Sequence, residues 1–184
     1  IKSMNGKDFL NLVKSRQSDR VYDPSKKIEQ EVLDMILEAG YYSPSACNAQ
    51  PWKFIAVTES DLVKKVGEAT AGLGMNKFAR EASAILVIVE ESANITSRLG
   101  SQFKNKHFPH IDIGIAASHL TLAAESLGVG SCILGWFSEN EIKKLLDIPK
   151  RKRVLLVITL GYPLKEKRKK IRKEIDKVIS YNRY

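Results

Sequence analysis

The chain has 184 residues, 43% hydrophobic and 28% charged, with a net charge of +9. This composition excludes disorder, and the length suffices for one domain whose core needs no metal or disulfide staple. Two cysteines, Cys47 and Cys132, are too few for a disulfide scaffold or a zinc-finger cluster, and the longest apolar runs fall far short of the ~20 residues that span a bilayer.

Asn5 is placed to cap a helix over 7–15, where Phe9, Leu12 and Val13 recur at helical spacing. Val32, Met35, Ile36 and Ala39 give a one-faced helix over 28–41. The stretch 43–51 carries small polar residues and two prolines, which forbid helix and predict a loop. A strand follows over 54–57. Thr58 and Asp61 have capping-box spacing and predict a helix towards Thr70. The continuous aliphatic run 84–89 predicts a strand buried on both faces. Pro109 opens a long helix of small and apolar residues through Leu127, which Gly128 and Gly130 end. Such a helix is either core or interface. A short strand is expected over 131–134. Ser138 and Glu141 form a second capping box for a helix to Leu146. The last strand, 153–160, is stopped by Gly161 and Pro163. Together these elements predict one sheet covered by helices.

The excess positive charge is concentrated late. Residues 150–153 are all basic, and 165–173 holds seven bases in nine positions. A run of this kind is ordinarily a solvated face; it also suits a phosphate group. Nucleic acid is the weaker third reading, because no aromatics are interleaved with the bases. With no internal repeat or linker, 1–184 reads as a single domain with a basic tail over 165–184. Met4 reads as the native start. No basic-then-apolar leader opens the chain, so a cytoplasmic protein is expected.

Several chemistries are set aside. Gly128-Val129-Gly130 lacks a glycine at 133, so the dinucleotide fingerprint fails, and no Gly-Lys-Ser/Thr phosphate loop is present. His107, His110 and Asp112 could offer metal ligands, but a histidine pair beside a proline is more often a loop, no third cluster supports a site, and no metal is expected. Cys47 has no histidine placed beside it by the sequence, so it reads as a loop thiol rather than a nucleophile. His119 reads as a hydrogen-bonded core or interface histidine.

Three segments are unusual together. Arg16-Gln17-Ser18-Asp19-Arg20 sets two guanidinium groups around a hydroxyl, a compact anion site. In Pro44-Ser45-Ala46-Cys47-Asn48-Ala49-Gln50-Pro51-Trp52, small residues admit close backbone approach to a planar ligand, and Asn48 and Gln50 add directed hydrogen bonds. The stretch 127–137 ends a helix with glycines and then presents bare backbone.

On these residues the sequence resembles the nitroreductase family of flavin-dependent oxidoreductases. Arg16 to Arg20 with Tyr22-Asp23-Pro24 is similar to the family's opening motif. Pro44-Ser45 through Asn48 to Gln50-Pro51-Trp52 resembles its Pro-Ser-x-x-Asn-x-Gln-Pro-Trp loop. Residues 112–132 resemble its central helix and glycine turn, and Leu160-Gly161-Tyr162-Pro163 with the basic tail resembles its C-terminal end. The resemblance implies an α+β fold, a mixed central β-sheet flanked by helices, in a homodimer whose C-terminal segment reaches onto the partner. It implies FMN as cofactor and NADH or NADPH as reductant. Arg16, Ser18 and Arg20, with Gln17 beside them, would hold the phosphate and the pyrimidine edge. Pro44, Ser45, Ala46, Cys47 and Asn48, with Gln50, would approach from the other subunit. Ile133, Leu134 and Gly135 would line a ring face, and Lys170 and Arg172 would complete the phosphate clamp. Either Asn76 or Lys77 would correspond to the family's ribityl and pyrimidine contacts, the register between them being open.

The implied reaction passes hydride from the nicotinamide to flavin N5 and then electrons to a nitroaromatic or quinone-type small molecule, with no catalytic side chain. Three departures from the family pattern stand out. Gln17 replaces a frequent second arginine or histidine, and Asp19 brings a negative charge expected to face solvent or pair with Arg20. The segment between Glu90 and His107 is short, which leaves the flavin site open. The alternatives are a flavoprotein with other chemistry (dehalogenation, flavin fragmentation), a flavin carrier without turnover, and a basic nucleic-acid-binding module.

Overall fold

A computed structural model describes residues 5–91 and 107–184. Its elements in chain order are α1 (Gly6–Ser15), α2 (Gln30–Tyr41), β1 (Trp52–Val57), α3 (Ser60–Ala69), β2 (Ala84–Glu90), α4 (Phe108–Ser126), β3 (Gly130–Leu134), α5 (Glu139–Leu145) and β4 (Arg153–Gly161). Single helical turns lie at Ala46–Asn48, Gly72–Gly74, Lys77–Glu81 and Ile175–Lys177. The expectations for residues 1–4, and for most of the segment between Glu90 and His107, lie outside the described residues.

The sheet order is β1-β2-β4-β3, and every ladder is antiparallel. The parallel component of the expected mixed sheet is here one isolated bridge, Ser18 to Ser131. β2 lies inside the sheet, and its run of aliphatic residues serves both faces by strict alternation. Ile85, Val87 and Val89 point into a core with Val63, Val66 and Ile142 of α3 and α5. Ala84, Leu86 and Ile88 point into a second core with Leu33, Ile36, Ile113 and Leu120 of α2 and α4. A strand that must face helices on both sides has no polar alternation left to show. The result is an α+β fold of three layers, helices over each face of one sheet.

Local signals and tertiary contacts compete at the element ends. Asn5 caps α1 as expected, its Oδ1 accepting from the Lys7 N–H at 3.0 Å. α2 begins at Gln30 rather than 28, because the Ile28 N–H is drawn to Ser83 Oγ at 2.8 Å. Neither expected capping box forms. Val57 pairs with Ile85 in the sheet, so Thr58 is spent on the turn and Glu59 occupies the cap position of α3. Ser138 does precede α5, but its side chain makes no cap bond; its N–H donates instead to Ala69 O at 2.8 Å. α4 ends as expected, with Gly128 in the left-handed region at φ 73°.

α5 is anchored through Glu139. Its carboxylate accepts from Arg153 Nε at 2.9 and 3.1 Å, from Lys143 Nζ at 2.9 Å and from the Val154 N–H at 2.9 Å. Burial opposes the charge, but these donors outweigh it and pull the Glu139 pKa down to about 2. A carboxylate depressed in the folded state stabilises the protein above its unfolded pKa, and that contribution fades as pH falls towards the folded value. Glu139→Gln is therefore expected to cost about 1 kcal/mol at pH 7, the discounted value for a partly exposed pair. Urea unfolding of both proteins at pH 7 and near pH 3 checks this. The gap should shrink in acid, and a constant gap would show that the carboxylate charge is not what holds α5.

Candidate functional site

The site is assembled where the chain leaves α1. Arg16 caps that helix, its N–H donating to Leu12 O at 3.0 Å, and the chain then turns extended. Ser18 bridges Ser131 of β3, and the Asp19 N–H donates to Ser131 O at 2.9 Å, so residues 16–20 run beside β3. The tail returns along the same segment. Arg168 N–H donates to Gln17 Oε1 at 3.0 Å, Arg168 Nη2 to Ser18 O at 3.0 Å, and Lys170 Nζ to Val13 O at 2.9 Å. These contacts border an open cavity of about 370 Å³ lined by Arg16, Gln17, Ser18, Arg20 and the tail from Arg168 to Arg172.

The cavity is strongly cationic. Among the described residues, neither Arg16 nor Arg20 pairs with a carboxylate, and neither does Lys170 or Arg172. Partial burial, then the neighbouring Arg16 and Arg172, push the Lys170 pKa down. Glu125 offsets part of this charge at Lys170, but like charges held together still raise the free energy of the empty site, and an anion relieves it. Guanidinium groups in this number suit an anionic ligand, phosphate or carboxylate.

Asp19 neither faces solvent nor pairs with Arg20, which corrects the sequence expectation. It is 4% exposed, and its Oδ1 accepts from Gln17 Nε2 at 2.7 Å. Gly130 makes this possible: a Cβ there would lie 2.8 Å from Asp19 Oδ2. Gln17 is thus held from both ends, by Asp19 and by the Arg168 backbone. Tyr22, wholly buried, donates its hydroxyl to Asp19 O at 2.8 Å. Arg168 was missed by sequence reasoning. It stands in the basic run, and nothing local marks it as the residue that meets Ser18.

At the end of β3 the side chain of Ile133 is 38% exposed, and Gly135 is open, with nothing within 4 Å of an added Cβ. Leu134 departs from its expected place. Its side chain is buried in the core with Val157, so only its main chain is available to a ligand. Asn76 donates through Nδ2 to Thr70 O and Trp136 O, both at 3.3 Å, and so fixes the loop after β3.

The loop around 44–50 lies elsewhere and lines none of this cavity. It is docked on α4, where the Ala46 N–H donates to Asp112 Oδ1 at 3.1 Å. Ser45 Oγ accepts from the Gln50 N–H at 2.9 Å, and Gln50 Nε2 donates to Asn48 O and Oδ1 at 3.1 Å. Cys47, Asn48 and Gln50 all have left-handed backbone, at φ 53°, 51° and 47°. Three non-glycine residues in that region within four positions store strain, which proteins concentrate at functional loops. One chain therefore joins the first segment, the third and the tail, and leaves the second apart. His119 is exposed, not core; its Nδ1 lies 2.9 Å from Ile115 O.

Known proteins are similar to this chain in sequence and fold. A family model described as "Nitroreductase family" matches residues 13–74 and 71–162. A protein of Archaeoglobus fulgidus named "Putative NADH dehydrogenase/NAD(P)H nitroreductase" is 33% identical over 168 residues, covering 87% of this chain and 88% of its own. An FMN reductase (NAD(P)H) of Bacillus subtilis is 32% identical over 178 residues, covering 90% of this chain and 70% of its own. The structure of an FMN-dependent nitroreductase from Clostridium difficile superposes with a TM-score of 0.76 at 26% identity, over 95% of this chain and 99% of that one. The matched regions take in the arginine segment, the strained loop and the glycine turn before β3, and by them the chain belongs to the nitroreductase family.

Proposed function

We propose that the chain is an NAD(P)H-dependent oxidoreductase that holds FMN and passes electrons to a nitroaromatic or quinone-type acceptor. The observation that carries this reading is the cationic cavity in which Arg16 and Arg20 meet Lys170 and Arg172, none of them ion-paired with a carboxylate among the described residues. That donor set fits the phosphate of FMN. The FMN and NAD(P)H in the relatives' names support the same cofactor and reductant. Bound FMN supplies two-electron chemistry between a nicotinamide and an acceptor.

The chain's own residues bind and orient. Arg16, Ser18, Arg20, Lys170 and Arg172 hold the phosphate end. Gln17, fixed by Asp19 and Arg168, presents a polar group that cannot swing. Ile133 and Gly135, with the main chain of Leu134, offer an apolar and hydrogen-bonding edge to the ring. The positive charge of Arg20 favours electron density on the group beside it. The loop with Pro44, Ser45, Ala46, Cys47, Asn48 and Gln50 completes the site from a second copy of the chain. Two observations support that dimer. α1 is amphipathic yet buries no residue, with Phe9 and Leu10 each 49% exposed. The tail exposes Ile171, Ile175 and Val178 at 92, 74 and 68%. Apolar surface of that extent calls for a partner.

The test is the visible spectrum of freshly purified protein, followed by anaerobic NADH or NADPH and then menadione or a nitroaromatic. The expected result is a two-banded flavin spectrum that one nucleotide bleaches and the acceptor restores. A flavin spectrum that neither nucleotide bleaches would leave a carrier. A colourless protein that takes up no FMN would sink the reading.

A further inference from the structure

We propose that Glu90, His107 and His110 form a binding site for a divalent first-row transition ion of the zinc type. The three residues come from the end of β2 and the start of α4. Their ligand atoms all lie within 4.8 Å of one another, and no other group of three such residues does so among the described residues. His107 Nε2 is 3.0 Å from Glu90 Oε1, and His110 Nε2 is 3.9 Å from Glu90 Oε2. The two imidazoles meet edge to face with centroids 3.8 Å apart.

One histidine would satisfy Glu90 as a hydrogen-bond partner. Here two ring nitrogens converge on the two oxygens of one carboxylate, which is the donor set of a His₂-carboxylate metal site. Imidazole with a single carboxylate suits zinc, cobalt or nickel, whereas magnesium and calcium require mostly oxygen ligands. The neighbouring cations make their hydrogen bonds elsewhere, although the Arg153 charge still reaches Glu90 and His110. Arg153 stands opposite Glu90 in the β2–β4 ladder, but its guanidinium is committed to Glu139. Lys152 pairs with Glu91. Both histidines are about half exposed, so an ion has access, and its remaining positions would hold water. Three protein ligands joining two elements would clip β2 to α4.

Zinc chloride titrated calorimetrically into the tag-free, chelator-treated full chain tests the site. Wild type should bind one ion per chain, and His107→Ala, His110→Ala and Glu90→Gln should each weaken binding at least tenfold. His119→Ala, another exposed histidine, should bind as wild type does. At a hundred times its Kd, zinc should raise the melting temperature of wild type by about 5–10 °C and leave that of the His107→Ala, His110→Ala double variant unmoved. No binding by wild type, or equal binding by the variants, would overturn the site. The flavin content of each protein, read from the same samples, keeps this outcome separate from that of the proposed function.

Discussion

A protein carrying Arg16→Ala and Arg20→Ala together is expected to purify colourless and to bind added FMN at least a hundredfold more weakly than wild type. Each guanidinium is placed to make charge-assisted hydrogen bonds to a phosphate, worth about 1.5–3 kcal/mol apiece. The two losses will not add fully, because both arginines act on one group. Stability should move the other way. Among the described residues neither arginine has a carboxylate partner, and Arg16 is one of the charges that push the Lys170 pKa down. Removing them relieves repulsion, so the flavin-free variant should melt at or above the temperature of flavin-free wild type. This opposite sign separates a lost binding site from misfolding. Lys144→Ala, which removes a charge from exposed α5 surface, should bind FMN normally. Fluorescence titration with FMN and a thermal melt of each protein decide the matter. Unchanged affinity in the double variant would place the phosphate outside this cavity.

Tyr22→Ala is expected to cost about 3–5 kcal/mol, lowering the melting temperature by roughly 6–20 °C. The ring is 1% exposed and packs within the core cluster of Val57, Ile85, Val87 and Cys132. Burial pushes the phenol pKa well above its ordinary value, so the hydroxyl stays protonated. Its proton goes to the Asp19 carbonyl at 2.8 Å, and the hydroxyl of Thr159, 2.7 Å away, supplies the second bond. Tyr22→Phe keeps the packing, loses the donor, and should cost about 1–3 kcal/mol. Because Asp19 in turn orients Gln17, both variants should also loosen FMN. Chemical denaturation of the three flavin-free proteins separates ring from hydroxyl. A Tyr22→Ala protein within about 1 kcal/mol of wild type would show that this ring is not the bolt between the arginine segment and the sheet.

Much of the fold was legible because its signals are local. The helix over 7–15 shows in three apolar residues and a capping asparagine. β2 shows as an unbroken aliphatic run, and the end of α4 shows as a glycine that can take positive φ. The misplaced boundaries share one cause. Ile28 N–H leaves the α2 pattern for Ser83, 55 residues away, and Ser138 N–H finds Ala69. A backbone donor goes to whichever acceptor folding brings near, and a capping motif cannot announce that competitor.

The residue types of the site are legible in the chain alone: two arginines around a serine, a loop of small polar residues, a glycine turn and a basic tail. Those types follow from chemistry that any phosphate and any planar ligand demand, so they can be read without coordinates. Which of them meet depends on folding. Pairing of Ser18 with Ser131 and of Arg168 with Ser18 joins segments up to 150 residues apart and leaves the 44–50 loop on α4. It also buried Asp19 beneath Gly130 and brought Glu90 to His107 and His110. Such encounters depend on sheet register and helix docking, which are set by the summed burial of both cores rather than by any spacing along the chain.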